Sequence, residues 1–405
     1  MKRRPWTRVL ALFTLASLAE TVFYSQLLAF TPLHLPSLGV SDPDCVLVLV
    51  GLITAVSNGV GIPFIPLWGA LADRYARKPI ILRSFIVLLI AAAMAYLTQS
   101  LWVFILARSL TGFALGNSGL MMTSLAERVP ANRIGLAFSI MNSAAPIGAF
   151  LGPLTGGWVF DRYGFRTLLA IDALMLAFVI AALVRGYHEE YRSDPRDKRP
   201  ILRMAWNSLG MVWENRRLRA LFPALFLLFG GWMLAFTYIP LVIGELYRGP
   251  DQGTITGIVI GASGLTTLVL APLLGALADR FGSWRVLFAG TITALLLWPL
   301  PFWIRELLPF AILWSIVNGV VSAVFALSFA VLSSSAEPSV RGRVMSFAYM
   351  PVNVGFMVGA AVGARITQSS LFNIFPAAAF FTLLGILLLY SAYRQPAGQK
   401  GNTSP

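Results

Sequence analysis

Between its charged residues the chain runs apolar for about twenty residues at a time, the length a helix needs to cross a hydrocarbon core of about 30 Å. Twelve such runs are predicted, near residues 9–31, 46–71, 80–98, 101–125, 135–159, 167–185, 221–244, 254–277, 285–303, 307–333, 344–364 and 372–393. The longest polar stretch, Gly186 to Arg219, separates six spans from six. Its later part, Ile201 to Trp213, mixes apolar and basic residues and suits a helix lying along the membrane surface. The predicted organisation is therefore an N-terminal bundle (1–185), a linker (186–219), a C-terminal bundle (220–393) and a tail (394–405). The fold class is an all-α polytopic membrane protein.

The two bundles repeat one another. Pro66-Leu67-Trp68-Gly69-Ala70-Leu71-Ala72-Asp73-Arg74 recurs 206 positions later as Pro272-Leu273-Leu274-Gly275-Ala276-Leu277-Ala278-Asp279-Arg280, with one substitution. Gly148, Gly152 and Gly156 of span five return as Gly355, Gly359 and Gly363 of span eleven. Glycines at i, i+4 and i+8 make a smooth face on which another helix backbone packs closely. Pairing in equivalent helices predicts a shared packing seam. A finer symmetry lies inside the first half, where Gly157-x3-Asp161-Arg162-x-Gly164 copies Gly69-x3-Asp73-Arg74 at the end of a helix running the other way. Units of three helices would then be inverted repeats, the arrangement that permits alternating access around a midplane site. The corresponding end of span eleven, at Gly363-Ala364-Arg365, lacks the Asp.

Composition fixes the solvent: 57% hydrophobic and 12% charged residues exclude a water-soluble globule. The net charge of +14 could suggest nucleic acid, but its distribution does not. With the N-terminus inside, 25 of 31 basic residues fall on the cytoplasmic side, against Arg162, Arg166, Arg248, Arg305 and Arg365 outside and Arg108 within a span. Lys/Arg bias sets orientation, so both termini are predicted cytoplasmic, in a bacterial plasma or inner membrane, with anionic lipid favoured at the inner leaflet. The single Cys45 excludes an internal disulfide, and His34 and His188 alone make no metal cluster. No cofactor is expected.

Gly69, Asp73, Arg74, Arg77 and Lys78 resemble the signature of the major facilitator superfamily between spans two and three, Gly-x3-Asp-Arg-x-Gly-Arg-Lys, with Ala76 in place of its second glycine. Gly275, Asp279, Arg280 and Gly282 keep the front of the motif in the second half, where Ser283 and Trp284 replace its basic end. Gly148-x3-Gly152-Pro153-x2-Gly156-Gly157 looks like the span-five signature of the drug:proton antiporter branch, with Ser139 where that signature has an earlier glycine. Arg108-x3-Gly112-x3-Gly116 resembles the span-four pattern of proton-coupled members. The resemblance implies two six-helix bundles, no enzymatic activity, and secondary transport by alternating access as a monomer. It further implies proton-coupled efflux of small molecules, with Asp73 and Asp279 as cytoplasmic gates that release in one conformation. A basic cluster serving only as a topology anchor is the alternative for the gates.

Of 17 acids only Glu20 and Asp172 fall well inside predicted spans, and Arg108 is the only basic residue there. Ionisable groups are costly in hydrocarbon and are functional candidates by default. Glu20 sits near the midplane, and Ser17, Glu20, Tyr24 and Thr31 share a polar stripe on the helical wheel. A carboxyl there can load and release a proton as its surroundings switch between apolar contact and a cation. Arg108 can pair with Asp172, leaving Glu20 to titrate, or with Glu20, which makes Asp172 a second proton candidate. The second half offers polar and aromatic groups instead: Trp232, Tyr238, Asn318, Ser322, Phe325 and Asn353. Acids on one wall and aromatics on the other suit hydrophobic or cationic compounds. The alternative within the same superfamily is an importer, facilitator or lipid translocator. A polytopic enzyme would need clustered His, Asp or Ser at an interface, and a receptor would be expected to carry a soluble module. Neither is visible.

Overall fold

The computed structural model describes residues 5–65, 71, 76–114, 117–189, 215–336, 344–345 and 347–395. Among them every regular element is helical, and ten segments are long and apolar enough to cross a membrane. One of the ten, Ile134–Gly186, has 53 residues and would reach about 80 Å if straight, far beyond a hydrocarbon core of about 30 Å. It breaks at Gly164, whose φ of 79° and ψ of 165° suit glycine alone, and so supplies spans five and six. Tyr349–Ile366 is span eleven. The remaining spans are Pro5–His34 (one), Pro43–Gly59 (two), Arg77–Leu97 (three), Arg216–Phe236 with Ile239–Leu246 (seven), Gln252–Phe281 (eight), Ser283–Leu297 (nine), Leu307–Ser335 (ten) and Ile374–Arg394 (twelve). Span four is interrupted: Leu101–Leu110 gives way to a 3-10 turn at Thr111–Ala114 before Asn117–Ala126. The chain thus folds as the expected two sets of six.

The side on which span one begins, bearing Arg77, Lys78 and Arg280, is called here the basic side. Gly282 closes the second Asp-Arg motif there with φ 94° and ψ 134°, close to the conformation of Gly164 at the end of the copy in span five. Two turns read as sequence copies therefore share one backbone shape. Ala76, in the glycine's place in the first copy, adopts φ −59° and ψ 138° instead, as a Cβ requires. Most of the expected linker, residues 190–214, and the tail beyond 395 lie outside the described residues.

The glycine pattern resolves into two kinds of contact. Gly148, Gly152 and Gly156 pack on span one, against Thr21, Ser25 and Gln26 with Phe30, and Gln26 Nε2 donates to the Gly152 carbonyl at 3.0 Å. Gly355, Gly359 and Gly363 pack in the equivalent way on span seven, at Phe226, Gly230 and Tyr238. These two seams hold each half together. Contact between the halves uses other residues: Gly157 and Pro153 of span five meet Gly253 and Gly257 of span eight, and Gly261 and Gly264 continue the line against Phe150. Gly51 of span two meets Tyr238 and Ala360. The contact between spans five and eight lies toward the side opposite the basic one, and that between spans two and eleven runs on to Gly59 against Met357, near the middle of span eleven. Near the basic end of span eight, a Cβ placed on Gly275 would have no neighbour within 4 Å among the described residues.

Candidate functional site

Glu20 lies at the middle of the thirty-residue first helix, half-buried, where few side chains can offset a charge. Its Oε2 accepts a hydrogen bond from Asn117 Nδ2 at 3.1 Å, joining span one to span four. One turn along, Tyr24 donates its hydroxyl to the Thr111 carbonyl at 2.7 Å. Thr111 in turn donates to the Arg108 carbonyl at 2.6 Å, and Ser57 donates to the same oxygen at 2.9 Å. Side chains thereby satisfy the backbone where span four departs from α geometry. A mid-helix 3-10 stretch of this kind commonly marks a hinge.

Arg108 is buried and pairs with neither acid. Among the described residues the only ion pair is Arg77 with Glu127. The guanidinium of Arg108 instead lies within electrostatic reach of Tyr24. Its Nε and Nη1 have no hydrogen-bond partner among the described residues, and neither has Oδ2 of the buried Asp172. Neither pairing open to Arg108 in the sequence is present, and the group it feels instead, Tyr24, lies one helical turn from Glu20. Arg83, which the charge distribution counts with the cytoplasmic basic residues, also belongs to this group. It sits in the second turn of span three, donates to Ser84 Oγ at 2.8 Å, and is felt electrostatically by Tyr24.

The second half carries an aromatic cluster. Trp232 has the rings of Phe236, Phe356 and Phe325 at centroid distances of 5.6, 5.7 and 6.2 Å, and donates its Nε1 to Asn318 Oδ1 at 3.0 Å. Asn318 passes the connection on to Ser263, its Nδ2 lying 3.2 Å from the hydroxyl. Tyr238 is fully buried and bonds the Ala360 carbonyl, and Asn353 bonds the Tyr349 carbonyl within its own helix, so both act in packing. Ser322 is half-buried on span ten beside this cluster.

The gate residues Gly69, Asp73 and Arg74 lie outside the described residues. Arg77 is buried and reaches both oxygens of Glu127, at 2.7 and 2.9 Å. The backbone N–H groups of Arg77 and Lys78 donate to the carboxylate of Glu189, each at 2.7 Å, and Lys78 Nζ reaches the Val184 carbonyl. Glu189 thus caps span three from the end of span six, where a negative charge complements the helix N-terminus. These contacts tie spans three, four and six of one half together at the basic side. Asp279 is exposed and forms no hydrogen bond or ion pair with a described residue, while Arg280 lies over the Phe281 ring.

Sequence reasoning missed Asn117, Arg83, Glu127 and Glu189. A signal existed for the last two: each is an acid just beyond a span, on the side crowded with arginines.

The sequence model of the Major Facilitator Superfamily matches residues 10–297 and 250–405. Over 390 residues the chain is 27% identical to the multidrug resistance protein MdtG of Citrobacter koseri, covering 96% of this chain and 94% of that one. A variant of the nucleoside transporter NupG superposes with a TM-score of 0.77 at 14% identity, covering 95% of this chain and all of the other. A D-xylose–proton symporter gives a TM-score of 0.75 at 16% identity, with 96% and 97% covered. At such identities the two structures speak for the fold alone.

Proposed function

The chain belongs to the major facilitator superfamily, and we propose that it exports hydrophobic or cationic small molecules in exchange for protons, its basic side facing the cytoplasm. The observation that carries this reading is Glu20, a carboxyl at mid-helix whose described partner is the neutral Asn117 rather than a cation. A carboxyl so placed can be neutral or ionised without breaking an ion pair, so its proton can be exchanged between the two sides as access alternates. Tyr24 and Arg108, one turn away at the 3-10 stretch of span four, link that exchange to a hinge. The aromatic cluster around Trp232 supplies flat apolar surface without charge, suited to lipophilic substrates. The full-length likeness to a protein named for multidrug resistance supports export. The two bundles, 1–185 and 220–393, are the bodies that rock, and no cofactor other than the coupling proton is invoked.

The test is transport in proteoliposomes under an imposed pH gradient, with lipophilic cations, neutral drugs, sugars and phospholipids as candidate substrates. Gradient-driven movement of a cation or drug is expected, and Glu20→Gln is expected to abolish it while leaving substrate binding within about twofold. Undiminished pH-driven transport by the variant overturns the role of Glu20. Movement of sugar or phospholipid alone replaces the exporter with an importer or lipid translocator.

A further inference from the structure

Span eight begins without a cap of its own. Asp251 occupies the N-cap position of Gln252–Phe281 but makes no side-chain hydrogen bond to the helix. Exposed N–H groups at a helix start are normally satisfied by such a residue. Here the carboxylate comes from the other half of the molecule: Asp161, at the end of span five, accepts from Gly253 N–H at 2.9 Å and from Thr254 N–H at 2.6 Å. One oxygen serves each donor. The neighbouring Arg162 lies over the Trp158 ring, its guanidinium carbon 5.1 Å from the centroid, and forms no ion pair with Asp161.

The approach depends on glycine. A Cβ on Gly253 would strike Asp161 and Phe160, and one on Gly157 would strike the Gly253 backbone. The two helices meet backbone to backbone, which brings a short carboxylate within reach of the first turn of span eight.

The pseudo-equivalent junction in the second half is built differently. Counting on by the repeat offset places Gln368 where Asp161 stands, and Gln368 takes a hydrogen bond from Arg365 of its own helix end. Span two, the counterpart of span eight, is capped by its own Asp42, which accepts from Cys45 N–H at 3.2 Å. Of the two junctions, the one between spans five and eight has a carboxylate crossing from one half to the other.

We propose that Asp161 is the positioning residue that latches the halves together on the side opposite the basic one, by capping span eight across the interface. Opening that side must break both charge-assisted bonds and strip the anion from a helix N-terminus. Asp161 then acts on the transport cycle through the access equilibrium, without touching substrate. The inference rests on alternating access but on neither proton coupling nor substrate identity.

The test is a pair of distance measurements by double electron–electron resonance in proteoliposomes, on a Cys45→Ser background, without substrate or gradient. Labels at Gln99→Cys and Glu306→Cys report the latched side, and labels at Asn132→Cys and Arg285→Cys report the basic side; all four positions are exposed. In Asp161→Ala the first distance should lengthen and the second shorten, with the ratio of the two states moving on the order of tenfold, since hydrogen bonds to a charged group are strong. Asp161→Asn should fall between, because its amide oxygen serves one donor while its NH2 opposes the other. Gln368→Ala should leave both distances as in the parent. Unchanged distances in folded Asp161→Ala and Asp161→Asn, or an equal shift in Gln368→Ala, overturn the proposal. A transport failure in Glu20→Gln does not affect these readings, so the two proposals fail separately.

Discussion

Gly257→Ala separates packing between the halves from packing within them. The new Cβ would fall on the Pro153 carbonyl of span five, and overfilling a close contact of this kind costs about 1–3 kcal/mol. Alanine also gains about 1 kcal/mol over glycine inside a helix. The clash exists only while spans five and eight touch, whereas the helix gain is present in every conformation. The access equilibrium should therefore move by the whole clash, roughly 5- to 150-fold away from the state closed on this side. Thermal unfolding in detergent should change by no more than a few degrees, because the protein can occupy the conformation without the clash. Gly359→Ala is the matched control. Its Cβ would fall on the Gly230 carbonyl, but spans seven and eleven belong to one half and stay packed throughout the cycle. That variant should lose stability and leave the inter-label distances alone. If Gly257→Ala destabilises as Gly359→Ala does and leaves the distances unmoved, the assignment of the two glycine lines to different interfaces is wrong.

Two further outcomes are expected. Arg77→Ala removes the bidentate bond to Glu127 at a site where Arg77 is buried and Glu127 half exposed; about 1–2 kcal/mol of stability should be lost, and a double-mutant cycle with Glu127→Ala measured by thermal unfolding should recover most of that as coupling. Cys45, the single cysteine, is exposed at the start of span two on the side opposite the basic one; a membrane-impermeant maleimide should label it in intact cells, and labelling confined to inverted vesicles would reverse the proposed orientation.

The spans were legible because the bilayer fixes their length, and length survives any rearrangement of contacts. The turn glycines were legible for a related reason: Gly164 and Gly282 follow an Asp-Arg pair at the same spacing, and their backbone angles agree. Partners were less readable. Glu20 meets Asn117 across 97 residues of sequence, and the meeting depends on how span four rotates after its 3-10 turn, which no proline announces. The approach of Arg108 to Tyr24, and the lack of a partner for Asp172 Oδ2 among the described residues, likewise have no mark in the sequence. Glycine spacing showed that close approach occurs but not which neighbour approaches, so the lines at Gly148 and Gly355 read as a shared seam although each packs inside its own half. Arg83 was hidden by the convention that a charge near a helix start belongs to the loop, since a guanidinium reaches several ångströms from its Cα.

Span eight joins these features into one device. Its first turn is capped by Asp161 of the other half, and Asp279, 26 residues on and about 39 Å away along a straight helix, stands exposed at its last turn. Its far end is packed in the core of its own bundle through Ala278 and Leu274, so breaking the two bonds releases the bundle as a body. Alternating access needs both conformations populated during turnover, so the latch on one side must be matched to within a few kcal/mol by whatever closes the other. A duplicated Asp-Arg helix end meets that requirement economically, because the same carboxylate-to-helix geometry can be used on either face of the membrane. The half that carries Glu20 also contributes Asp161, so the proposed proton exchange and the proposed latch reside in one bundle, while the aromatic bundle contributes the helix that is held and released.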